Sequence, residues 1–321
     1  MKKIYITLLS VLAFGTGFSQ ITEKEDDLKK VETDTIVGWK TSAVINLNVA
    51  QTSLTNWAAG GQNSIALNSL GSFQADYKNS KFSWDNTLDL GYGILRQGKE
   101  DNVSTQKTDD KIDFASKYGK KIKKNLYAAG LINFKTQFAA GYNYPNDSVV
   151  ISDLLAPAYF LTALGLDYKP TSKLSIFAAP FTGKVTIVNN ETLADAGAFG
   201  VEPAFFDQTG TLTTHGEHTK TEFGGYIKIA YANDIMKNVK LNTKLDLFSN
   251  YLNNPGNIDI NWETLINFKV NKYISMSLST QLLYDDDVKI EIDEDGDGTF
   301  DSKGSRIQFK ELFGFGITYK L

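Results

Sequence analysis

Near its end the chain reads DEDGDGTFD, which places Asp293, Asp295, Asp297 and Asp301 at positions one, three, five and nine of a calcium loop, with Gly298 at six and Thr299 at seven. Oxygen donors at alternate positions, with glycine where the chain must turn sharply, suit a hard cation. Position twelve, where a bidentate Glu would complete an EF-hand, is Gly304, and strands rather than helices are expected on either side. The spacing predicts a weak, extracellular type of Ca2+ loop held by Asp293, Asp295, Asp297, Thr299 and Asp301, against the alternative of a solvated acidic turn. A second candidate is THGEHTK, which carries the two histidines of the chain, His215 and His218, around Glu217. Such a pair could hold a metal or supply a general base. Membrane hydrolases set a histidine of this kind beside a serine at the lipid boundary, and no serine partner is recognisable here. A solvated loop is the default, and no enzyme activity is expected.

The third set of reactive side chains is dispersed. Asp85, Asp89, Asp113, Lys135, Lys228, Lys244, Asp246, Asp259, Glu263 and Lys269 each fall on the polar side of an alternating run. In KFSWDNTLDLGYGIL, Phe82, Trp84, Leu88, Leu90, Tyr92 and Ile94 share one face, while Asp85, Asp89 and small residues share the other. In NIDINWETLINFKV, Ile258, Ile260, Trp262, Ile266 and Phe268 oppose Asp259, Glu263 and Lys269. This period of two belongs to strands. Both signs of charge meet on the inner face, where they would pair.

The elements that position these charges recur along the chain. Alternating segments run at about 41–50, 63–77, 82–94, 107–118, 125–140, 158–168, 173–188, 219–232, 239–251, 257–269 and 273–288, followed by the last strand. The connections between them alternate short and long. KNS, GKKIKKN, KPTSK, NDIMKN and NK are tight, whereas RQGKEDNVSTQ, GYNYPNDSVVISDLLAP and the stretch from Asn189 to His218 are long. An all-β, transmembrane, antiparallel up-and-down β-barrel of about 12 strands has short periplasmic turns and long external loops. Lys120, Lys121, Lys123 and Lys124 would then form a basic turn facing anionic headgroups on the periplasmic side.

The opening MKKIYITLLSVLAFGTGFSQ has two lysines, an apolar run and small residues near Ser19, the pattern of a secretory signal over 1–20. A charged lead-in over 21–38 and a barrel over 39–321 complete the expected organisation. There is no cysteine, hence no disulfide framework. The balance of 33 basic and 37 acidic residues, a net charge of −4, excludes a nucleic-acid partner driven by basic charge. The ending KELFGFGITYKL alternates Phe313, Phe315, Ile317, Tyr319 and Leu321 with small or polar residues, a strand whose apolar face lipid would cover. It is similar to the terminal strand by which the barrel assembly machinery recognises its clients, although a terminal Phe is replaced by Leu321.

At LTNWAAGGQNSIALN, residues Asn56, Trp57, Gly60, Gly61, Asn63 and Ser64 resemble the N-W-x-x-G-G-x-N-S stretch of an uncharacterised Bacteroidota family of exported β-barrel proteins, a domain of unknown function. The resemblance extends over the mature chain and implies fold and location, not chemistry. From the residues alone, Gly60 and Gly61 permit a sharp loop and Trp57 suits a membrane interface. The expected protein lies in the outer membrane of a Gram-negative bacterium, among lipid. Its leading function is a narrow channel or transporter for small polar solutes. The alternative is a structural or surface-binding barrel with a plugged lumen, and a membrane hydrolase comes third. No cofactor beyond Ca2+ is implied.

Overall fold

The computed structural model describes residues 37–54, 62–99, 102–144, 146–271, 274–292 and 301–320. The signal segment, most of the lead-in and the residues Asn56, Trp57, Gly60 and Gly61 lie outside them. Twelve long strands form one closed antiparallel barrel: β1 Gly38–Thr52, β2 Ser64–Lys78, β3 Phe82–Lys99, β4 Asn102–Lys123, β5 Leu126–Thr136, β6 Ala158–Thr171, β7 Leu174–Ile187, β8 Thr219–Met236, β9 Val239–Asn250, β10 Ile258–Lys269, β11 Ile274–Tyr284 and β12 Gln308–Lys320. Each strand pairs with its neighbours in sequence, and β12 closes on β1 with Val44 opposite Lys320 and Asn48 opposite Gly316. Closure joins the first and last strands over Val44–Asn48 and Gly316–Lys320, so the sheet does not end in two free edge strands.

The tight connections owe their shape to side chains that turn the backbone locally. Asn79 accepts hydrogen bonds from the amides of Lys81 and Phe82 at 2.8 Å each, and Asn271 accepts from Ile274 at 2.8 Å. Asn125 and Asn238 adopt left-handed conformations, with φ of 63° and 65°, in the turns between β4 and β5 and between β8 and β9. Asparagine tolerates that region better than other residues with a side chain, which is why these hairpins close in so few residues. At the opposite end two predicted boundaries are corrected. RQGKEDNVSTQ is not a long loop: the ladder of β3 and β4 continues past a bulge at Gly93 to pair Lys99 with Asn102, because nothing in the run interrupts backbone pairing. The strand expected over 273–288 stops at Tyr284, where Asp285 accepts from the amide of Asp287 at 2.9 Å and turns the chain.

The alternation sorts the side chains as the sequence indicates. Outward lie Ile45, Leu47, Phe114, Leu164, Phe181, Trp262, Phe309, Phe313 and Phe315, all exposed, several of them by more than 60%. Inward, Ala129, Leu131, Leu161, Ala163, Phe177, Ala179, Tyr226 and Phe248 pack into one cluster along the β5 to β9 wall. Phe177 is fully buried. This part of the lumen is therefore a packed core. Close strand approach at its edge depends on glycine: a Cβ on Gly165 would lie 2.0 Å from the Ala178 carbonyl oxygen. Gly165→Ala is expected to destabilise the barrel by about 1–3 kcal/mol, read as a lowered urea midpoint of the folded form; an unchanged midpoint would show that the backbone yields freely there.

A second apolar cluster, Ala156, Val188, Leu193, Ala194 and Val201, sits among the long connections. It unites the segment after β5 with that after β7, where a short helix α1, Glu191–Asp195, is capped by the Asn190 side chain accepting from Leu193. A backbone bond from Asn189 to Leu155 ties the two segments together at 2.9 Å, and one from Glu217 to Glu202, also 2.9 Å, closes the second segment on itself. The stretch expected as a loop from Asn189 to His218 is thus a folded cap with its own small core.

Candidate functional site

The charged residues that the alternation assigns to the inner face meet inside the barrel, and the barrel order shows how far they reach. Lys111 on β4 lies 2.6 Å from Glu263 on β10, and Lys244 on β9 pairs with Asp89 on β3 at 2.5 Å. In a closed ring of twelve strands each of these pairs joins walls six strands apart, that is, directly opposite. A pair that bridges opposite walls occupies the bore.

Around these two bridges the other charges close a network. Asp246 accepts from the Tyr226 hydroxyl at 2.6 Å and from Lys228 at 2.9 Å, and pairs with Lys135 at 3.3 Å. Asp113 accepts from Asn133 at 2.7 Å and lies 3.8 Å and 3.9 Å from Lys111 and Lys135. Ser72 donates to Asp89 at 2.6 Å. Toward the cap, Lys184 meets Glu222 at 3.1 Å and Asp259 at 2.8 Å. Toward the short turns, Lys117 pairs with Asp167 at 2.8 Å and Lys169 pairs with Asp85. Charges taken out of water are retained only when paired and hydrogen-bonded, and the alternating pattern supplies both signs at each level. Nine of the ten sequence-assigned lumen residues take part in these contacts, and the tenth, Lys269, is an exposed residue at the end of β10 near the short turns.

Sequence reading did not find Lys111, Asp167, Lys169, Lys184 or Glu222 as members. Their inward parity was available in the alternation, but their importance depends on which strands face each other. Nor did it find that Tyr226, on the apolar wall, hands its hydroxyl to Asp246.

The other candidates lie in the connections. Asp293, Asp295, Asp297 and Thr299 are outside the described residues; Asp301 is exposed and directly precedes a small ladder pairing 290–292 with 302–304. His218 donates from Nδ1 to the Val188 carbonyl oxygen at 2.7 Å, holding the entry of β8 against the exit of β7. His215 lies with Nδ1 3.1 Å from both Asp195 and Glu191 at the ends of α1, three groups whose ligand atoms are all within 4.8 Å of one another. Gly216 permits this approach, since a Cβ there would meet the Ala194 carbonyl oxygen at 2.2 Å.

The amide of Gly216 donates to Asp195 at 2.7 Å, and this bond, with His215 beside it, holds the Asp195 carboxyl below the usual carboxylate range. A depressed folded value means that the contact stabilises the cap above the unfolded value of about 3.9 and is lost as pH falls through the lower folded value. Exchange protection of the Gly216 amide, corrected for intrinsic rate, is expected to hold from pH 7 to 5 and to decline below about 4. Protection that stays level across this range would remove Asp195 from that role.

A closed antiparallel barrel with an apolar exterior and an ion-paired interior defines the class of fold. Among solved structures, an outer-membrane channel of Pseudomonas putida F1 aligns with a TM-score of 0.35 and 8% identity over 89% of this chain and 96% of that one. The translocator domain of the autotransporter NalP from Neisseria meningitidis aligns at 0.33 and 9% over 93% and 95%. The toluene transporter TodX of Pseudomonas putida aligns at 0.27 and 10% over 89% and 90%. Nothing about cargo transfers at such scores. Residues 49–142 match the model of a family described as a protein of unknown function, DUF3078, a narrower span than the whole mature chain that the sequence resemblance implies. No curated protein matches.

Proposed function

We propose that this chain is an outer-membrane barrel whose lumen is plugged by its own side chains and which works as a binding surface through the folded cap. The reading rests on the Lys111–Glu263 and Lys244–Asp89 bridges, which span opposite walls. Its membrane setting follows from the exterior. The outward apolar side chains form a band far larger than a soluble monomer exposes, and the closed ladder satisfies the backbone polar groups that lipid cannot. From Phe82 to Tyr92 along β3 the rise is ten residues, about 33 Å at ~3.3 Å each. Tilted by ~40°, that is about 25 Å, the height of the apolar band of such barrels.

The chain enters β1 and leaves β12 at the end of the short turns, so the cap belongs on the outer side. There the hairpin formed by 205–206 and 212–214 presents Phe205 at 72% and Phe206 at 54% exposure, the side chains through which a partner would be gripped. Export by the 1–20 signal, and insertion by the assembly machinery through β12 with its exposed Phe309, Phe313 and Phe315, belong to the same proposal. The test is a planar bilayer recording of detergent-purified protein that shows heat-modifiable migration: a folded barrel without openings supports the plug, and stable discrete openings would reject it.

The second reading is a narrow polar channel. It is favoured by the partial exposure of Lys244 and Asp85, at 30% each, which shows that solvent reaches part of the lumen. It requires the cross-wall bridges to part. Calcium at the Asp293 to Asp301 loop is carried by the sequence spacing alone. Ca2+ addition is expected to slow protease cleavage between Ile292 and Ser302, and an unchanged cleavage rate would retire it.

A further inference from the structure

The short-turn rim is basic in a way that the plug does not use. Lys120, Lys121 and Lys123, at the end of β4, Lys124, in the turn that follows, and Lys81, from the turn between β2 and β3, line one shallow cleft of about 430 Å³ together with Ser80 and Ile122. The two turns are held together by the Lys121 amide donating to the Lys81 carbonyl oxygen at 2.7 Å. All five lysines are exposed, and among the described residues none forms an ion pair. The lumen lysines, by contrast, are matched with carboxylates. Five ammonium groups around one cleft repel one another unless an anion lies between them.

Immediately beside this cleft, on the outer wall, runs a row of aromatic rings. Trp39 packs on Tyr77 at 5.4 Å and on Trp84 at 5.6 Å, Tyr77 stacks on Phe82 at 5.4 Å, and Phe82 meets Tyr118 at 5.4 Å. Phe82 is directly opposite Lys120 in the ladder, and Tyr118 is two residues before it, so the rings begin where the lysines end. Aromatic rings mark the level of the headgroups, and acyl chains lie just beyond it. Ile122, half exposed at the bulge near the end of β4, adds an apolar surface between the lysines.

We propose that the β1 to β5 flank binds an anionic phospholipid of the leaflet facing the short turns, with its phosphate in the lysine cleft and its acyl chains along the Trp39 to Tyr118 ring row. The inference rests on the membrane-spanning reading above. Net charge decides the lipid class. A zwitterionic headgroup presents its phosphate with a compensating cation that these lysines repel, whereas a phosphatidylglycerol or cardiolipin headgroup does not. The ring row decides for a lipid over a soluble phosphate, since a free anion would gain nothing from an apolar strip next to its site.

Tryptophan placement supplies the test. In a Trp57→Phe, Trp262→Phe background, the remaining Trp39 and Trp84 both lie in the ring row, and brominated lipid quenches their fluorescence on contact. The full-length protein is reconstituted in phosphatidylcholine vesicles containing either brominated phosphatidylglycerol or brominated phosphatidylcholine. The expected result is that the brominated phosphatidylglycerol occupies the flank at least about fivefold more tightly. The preference should disappear when Lys81, Lys120, Lys121, Lys123 and Lys124 are changed to Gln, and persist when Lys173 and Lys237, on other turns, are changed to Gln.

Equal quenching by the two lipids would overturn the proposal while leaving the barrel in the membrane. A preference that survives the five Lys→Gln changes would overturn it as well. Restoration of fluorescence by millimolar inorganic phosphate would make the cleft a general anion site instead. Absence of quenching by either lipid would instead refute the membrane-spanning reading on which the inference rests.

Discussion

Asp246→Ala is expected to destabilise the folded barrel by about 3–5 kcal/mol, the largest effect of any single substitution in the lumen. The carboxylate receives Tyr226, Lys228 and Lys135 at once. Removing it takes the carboxylate away from Lys228 and the Tyr226 hydroxyl and leaves Lys135 only the more distant Asp113 at 3.9 Å, and an unpaired charge beside a packed apolar wall costs far more than the pair was worth. Asp246→Leu combined with Lys135→Met and Lys228→Met removes the charges together and is expected to recover most of the loss. Urea midpoints of the heat-modifiable band measure both. An Asp246→Ala midpoint equal to the parent's would mean that water, not the network, solvates these lysines.

The second large effect concerns the bore. Wild-type protein is expected to hold no current, and the variant Asp89→Ala, Lys111→Ala, Lys244→Ala, Glu263→Ala is expected to show discrete openings in the same bilayer. The four changes remove the two bridges between opposite walls and nothing of the Phe177 cluster, so the apolar side keeps its packing while the polar side is emptied. Two acids and two bases are lost, which leaves the net charge unchanged and strands no partner of either bridge. If wild-type and variant conduct alike, the bridges do not obstruct the bore and the channel reading takes precedence. If the variant folds and stays silent, the apolar cluster closes the lumen without help from the bridges.

The two predictions part the polar half of the interior from the apolar half, and both halves were unequally visible in the linear chain. The polar half was legible as parity: Asp85, Asp89, Asp113, Asp246 and Glu263 fall on the side of each run opposite the large apolar residues, and the ladder honours that side throughout. The apolar half was not. Ala129, Leu131, Leu161, Ala163 and Phe177 face inward on strands that are apolar on both faces, so no alternation separates core from exterior there. Likewise the cap core is made by Val188, Leu193 and Val201 meeting Ala156, residues whose proximity depends on two long connections folding against each other.

What the sequence by itself determined is the strand count, the direction in which the charged side chains of the alternating strands face and the end at which the turns are tight. Those follow from a two-residue period and from asparagine's tolerance of left-handed backbone, both local properties of a few successive residues. Only the tertiary structure decided that the lumen is bridged. Lys111 and Glu263 are separated by 152 positions, and their contact exists because closure after the twelfth strand sets β4 opposite β10. Closure is a property of the whole ring, so no segment read alone carries the identity of the wall it faces.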